Sequence, residues 1–193
     1  MDFEKDNKSP AFQAFNIESM IFITFSSVQM FEKFGENMKL YSQIKSKEEF
    51  LKFNFDALLD PIHSIMLNAS TLAGYFWPLD PSSQPRANFL KEKLTVSEKS
   101  PLANPKLHCL SNNFHHMIED YLKGDITGEI VPRHVGPLAK PDDQVIHLFR
   151  GYDPEKNVFE LLGEEFMFQP IAEEVFRIHN LILAAQKNNY KFS

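Results

Sequence analysis

Between Lys47 and Phe76, Leu51, Phe55, Leu58, Ile62, Ile65, Leu72 and Phe76 return at steps of three, four and seven. This is the period of a helix that lays one face on a core. Pro61 interrupts the run. Either the helix kinks there, or Asp60 caps a new helix with Pro61 at its first position. A second helical run spans Ile17 to about Leu40, with Ile17, Ile21, Val28, Phe31 and Met38 sharing a face. Met20, Phe22, Ile23 and Phe25 widen that face until the first turns are apolar nearly all round. Such a helix is buried on several sides or lies in an oligomer interface.

The remainder sorts around these two rods. Residues 1–16, mixed and polar with Pro10, are expected to form a loosely held arm. A proline-rich loop follows Phe76-Trp77-Pro78, and Arg86 to Leu94 predicts a short helix. A polar loop leads to Pro101–Leu122, where Leu107, Leu110, Phe114, Met117 and Tyr121 mark one further helix, closed by Gly124 and Asp125. Residues 126–143, rich in Gly and Pro, read as an irregular extended run over the surface.

From Gln144 the period changes. Val145–Arg150, Asn157–Leu162 and Glu165–Phe168 predict three strands with turns at Asp153–Lys156 and Gly163-Glu164. Pro170 opens a last helix striped by Ile171, Val175, Ile178, Ile182 and Ala185. The expected fold is therefore mainly α, a helical bundle with a small C-terminal antiparallel β-meander and a final helix packed on the bundle. It forms a single domain over 1–193: arm 1–16, bundle 17–125, extended segment 126–143, meander 144–168, C-terminal helix 169–187.

The 193 residues suffice for one real core, and 19 Phe against one Trp predict a core packed with aromatic rings. A net charge of −6 opposes avid, non-specific nucleic-acid binding but leaves a local RNA or nucleotide site open. Cys109 is the single cysteine, so an internal disulfide is excluded; beside the apolar stripe it reads as a packing residue rather than a nucleophile. Asp2, Glu4, Lys5 and Asp6 precede any apolar run, which predicts no signal peptide. Met20–Phe25 is too short to span a bilayer. A cytoplasmic protein without membrane contact is expected.

Chemistry gathers on the Pro101–Leu122 helix. His108, Asn112 and His116 recur at steps of four and form a second ridge, with Ser111, His115 and Glu119 beside it. Three readings follow. Asn112 and His116 are polar residues bonded to each other and to loop backbone in an interface. Or His116 is a general acid or base. Or His115, His116, Glu119 and Asp120 supply metal ligands, although adjacent histidines point about 100° apart on a helix. The residues predict neither a metal nor a cofactor. His63, His147 and His179 sit in apolar or mixed runs and read as structural.

The order of several short pieces resembles the HEPN-like helical proteins of bacteria. The pieces are Phe76-Trp77-Pro78, Arg86-x-x-Phe89-Leu90, Ser100-Pro101-Leu102, the run from Leu110 to His116, Val135-Gly136-Pro137, and Gly163-Glu164-Glu165-x-x-x-Gln169-Pro170-Ile171. In that family an arginine, usually followed by a polar residue, precedes a histidine by about five positions. Catalytic members face that pair across a dimer interface and cleave RNA without a metal. Asn112 and His116 match, and Ser111 stands at the arginine position. The missing guanidinium would bind the scissile phosphate and stabilise charge in the transition state.

The resemblance therefore implies a homodimer, non-catalytic or weakly catalytic, in an RNA- or nucleotide-related stress or defence role. Two alternatives stand beside it. One is a metal-independent ribonuclease using His116 and Asn112 with a cation from elsewhere, Arg86 or Arg133. The other is a protein-interaction module with no nucleic-acid role.

Overall fold

The computed structural model describes residues 9–112, 114–124, 127–137 and 146–192. The chain opens with α1, Pro10–Ser42, which begins seven residues earlier than the periodicity indicates. The side chain of Ser9 accepts from the Phe12 amide, and Pro10 sits at the first helical position, where its missing N–H costs nothing. The proline read as a mark of a loose arm is the start signal of the helix.

α2 (Lys47–Lys52) is a short helix capped by Ser46, and α3 (Asp56–Phe76) is the central rod. The predicted long helix thus divides at Phe53–Phe55 rather than at Pro61, and α3 runs through the proline. Leu58, Ile62, Ile65, Leu72 and Phe76 are almost completely buried, as their spacing requires, whereas Leu51 is exposed. A 3-10 turn, Pro81–Ser83, leads into α4, Gln84–Lys93. A second, Pro101–Ala103, precedes α5 (Pro105–Asn112) and α6 (Phe114–Leu122). Residue 113, and the Asp125 expected to close this stretch, lie outside the described residues.

The sheet holds β1 (Glu129–Val135), β2 (Ile146–Asp153), β3 (Val158–Leu161) and β4 (Glu164–Met167) in that spatial order. β2, β3 and β4 form the expected antiparallel meander. Part of the segment read as irregular is instead β1, paired in parallel with β2 from Glu129↔Ile146 to Val135↔Tyr152. Pro132 is compatible with this because β1 lies at the sheet edge. The other residues of the 126–143 segment, 126 and 138–143, and Gln144-Val145, lie outside the described residues.

α7, Phe168–Lys187, follows the last strand directly and packs with α3 against α1. Its predicted stripe is buried throughout. The seam is aromatic: Phe34 lies 5.2 Å from Phe168 and 5.6 Å from Tyr152 between ring centroids, both edge-on. Thr24 on α1 meets His179 Nδ1 on α7 at 2.8 Å in the same dry seam. Among the described residues, no helix is long and apolar enough to cross a membrane.

Candidate functional site

The motif stretch is positioned from its start. The hydroxyl of Ser100 accepts from the Leu102 amide and donates to Glu174 at 2.9 Å, tying the 3-10 turn to α7. Asn104 then caps α5 through its side-chain oxygen and the Lys106 amide, with Pro105 at the first position. Leu107 and Leu110 are buried against the core, as predicted, and Met117 and Tyr121 pack on it from α6.

The polar residues of the ridge divide among different tasks. His108 Nε2 donates to the Leu102 carbonyl at 3.1 Å, and its ring lies 6.0 Å from that of Trp77, so this imidazole holds the entry loop. Ser111, at the motif's arginine position, points to α3. Its hydroxyl lies 2.7 Å from the hydroxyl of the fully buried Ser70, which also accepts from the Ser111 amide at 3.0 Å. The side chain of Asn112 lies outside the described structure, so the predicted Asn112–His116 pair has no described geometry.

His116 sits on the solvent side of α6, its side chain 58% exposed, with Nδ1 3.1 Å from a Glu119 carboxylate oxygen. The His115 ring lies 3.8 Å from that of His116. Lys123 and Asp120 form a further pair at 2.6 Å. The outer face of α6 is thus a row of matched charges and imidazoles rather than a positive patch. Among the described residues no three His, Cys, Asp or Glu side chains are arranged to hold a metal ion.

A polar contact fastens α6 to the sheet. His147 Nε2 donates to the Thr127 carbonyl at 3.2 Å, which leaves Nδ1 as an acceptor; the Tyr121 hydroxyl donates to it at 2.7 Å. Burial, with some help from Glu160, holds the Tyr121 hydroxyl above its ordinary range, so it keeps its proton through neutral pH.

The cations considered as substitutes are engaged elsewhere. Arg133 binds Asp56 at 2.7 Å. Arg86 lies over the Tyr75 ring, 5.5 Å from its centroid, with its Nε buried and without a partner. Arg150, which the spacing did not single out, closes a larger cluster: one guanidinium nitrogen meets Asp56 and another meets Asp60, each at 2.7 Å. Asp60 is therefore an ion-pair partner rather than a helix cap. Burial, followed by the charge of Arg150, depresses the neighbouring His63 imidazole. The visible signal was two aspartates four residues apart on one helix face; their partners lie about ninety residues away in the sequence.

A cavity of about 330 Å³ lies over the sheet, lined by His134, Gly151, Glu160 and Glu165 among others. Those four occupy one cross-strand row, β1 to β4. Among the described residues, none of α5 or α6 lines this cavity. Comparison with models of known protein families, with curated proteins and with solved structures returns no match.

Proposed function

We propose that this chain is a HEPN-like cytoplasmic homodimer that acts by binding rather than by cutting RNA, in an RNA- or nucleotide-related stress or defence system. The observation that carries the non-catalytic reading is the fate of position 111. A nuclease of this kind needs a mobile cation there to meet a phosphate. This chain has a hydroxyl tied to Ser70 in the groove between α3 and α5. Arg133 and Arg86, the cations that would have to replace it, are occupied by Asp56 and by the Tyr75 ring. The role in RNA or nucleotide biology follows from the resemblance alone.

A second reading, an interaction module for another protein, has its own support. The exposed side of α6 pairs His116 with Glu119 and Lys123 with Asp120, so it presents little net positive charge to a phosphate backbone. End-labelled RNA incubated with the purified chain in EDTA tests the main reading. The RNA is expected to remain full-length. Cleavage by the wild type that disappears in His116→Ala would overturn the proposal and establish the ribonuclease alternative. Binding of the same RNA, followed by fluorescence anisotropy, separates the first reading from the interaction module.

A further inference from the structure

α1 carries two stripes on opposite sides. One, through Ile17, Met20, Thr24, Ser27 and Phe34, is buried against α3 and α7. The other runs through Ala11, Phe15, Glu18, Phe22, Phe25 and Gln29 at alternating steps of four and three, and all six residues are exposed. Phe15 is 74% exposed, Phe22 81% and Phe25 52%. Apolar residues at a spacing of three and four along one face form the seam of a helix that pairs with another helix, and four of these six are apolar. Single exposed apolar residues need no explanation, but three phenylalanines in one line on one helix do.

The geometry points to a second copy of this chain as the occupant, with the two α1 helices antiparallel across this stripe. The inference rests on the homodimer of the proposed function and gives it a surface other than the polar face of α6. The stripe is self-complementary when the twofold axis crosses between the two helices at the level of residue 20. Phe15 then faces Phe25 of the second copy, Phe22 faces Glu18, and Ala11 faces Gln29.

Charge selects this direction over a parallel pairing. Glu32 and Glu36 continue the exposed stripe, so a parallel pair would set Glu18, Glu32 and Glu36 each against its own copy. The antiparallel arrangement separates all three. Glu18 is also drawn to one side by Gln186 of α7, whose amide donates to it at 3.0 Å, and this leaves the line between Phe15 and Phe22 open to a partner's ring. The three rings leave on the order of 400 Å² of apolar surface in water per copy. That is about half of the ~800 Å² per partner that a stable interface needs. Ile21, Ser26 and Gln29 border the same groove and extend the contact.

Sedimentation equilibrium of the full chain at micromolar concentration tests the inference. The wild type is expected to be a dimer, and so is His116→Ala. Phe22→Glu is expected to raise the dimer dissociation constant on the order of 100-fold with an unchanged far-ultraviolet circular dichroism spectrum. In a Cys109→Ala background, a mixture of Phe15→Cys and Phe25→Cys chains should form mixed disulfides, and Phe22→Cys alone should not. A Phe22→Glu protein that remains a dimer would overturn the α1 surface and leave the homodimer standing. Self-linking of Phe22→Cys without the Phe15–Phe25 cross-link would overturn the antiparallel pairing. A monomeric wild type would remove both. If that monomer sediments with phosphatidylcholine vesicles and Phe22→Glu does not, the stripe serves a lipid surface instead.

Discussion

The Thr24 hydroxyl and His179 Nδ1 meet at 2.8 Å where α1 crosses α7, and burial holds this imidazole below its usual pKa. His63 is depressed in the same direction, by burial and then by Arg150. In the unfolded chain both return to about 6.5. The unfolded state therefore takes up protons first as pH falls. Stability from this source is complete above about pH 7 and declines below about 6.5. The urea midpoint is expected to drop between about pH 7.5 and 5.5, and His179→Gln is expected to flatten part of that dependence.

Arg150 fastens the sheet to the start of α3. Its side chain is 19% exposed and that of its partner Asp56 30%, so removing the guanidinium leaves a largely buried carboxylate with the more exposed Arg133 as its remaining cation. Arg150→Ala is expected to cost about 1–3 kcal/mol. Asp60, 60% exposed, gives a weaker pair, and Asp60→Ala is expected to cost less than about 1 kcal/mol. Thermal unfolding of the two variants against the wild type measures both.

The extent to which this fold was legible depended on whether the deciding partner was local. The stripe of α7 states its own structure, because Ile171, Val175, Ile178, Ile182 and Ala185 need only a core, and all are buried. β1 was illegible for the opposite reason. Gly128, Pro132 and Gly136 suggest a loop, and the residues become a strand only because β2 supplies a parallel ladder from beyond residue 145. Pro10 and Pro61 show the ambiguity of proline, which starts α1 in one case and is carried inside α3 in the other. At the candidate site, spacing grouped Ser111 and His116 near one ridge, but it could not report what each side chain meets. Ser70 is 41 residues from Ser111, and it takes up that hydroxyl while His116 pairs with Glu119.

Tyr121→Phe is expected to loosen α6 on β2 with little change elsewhere. The variant removes the hydroxyl that donates to His147 and leaves the ring in its packing. The expected cost is about 1 kcal/mol. Hydrogen exchange should rise in the α6 amides and not in α3 or α7, which are held by the aliphatic core.

The functional reading turns on the Ser111 hydroxyl, on an exposed residue, being committed to the buried Ser70 of α3, and a double-mutant cycle on Ser70 and Ser111 measures this directly. Urea unfolding of Ser70→Ala, Ser111→Ala and the double variant should give a coupling energy of about 1 kcal/mol, as expected for a hydroxyl pair shielded on one side. Additive effects with no coupling would mean that the Ser111 hydroxyl is free to serve a ligand, and would contradict the account.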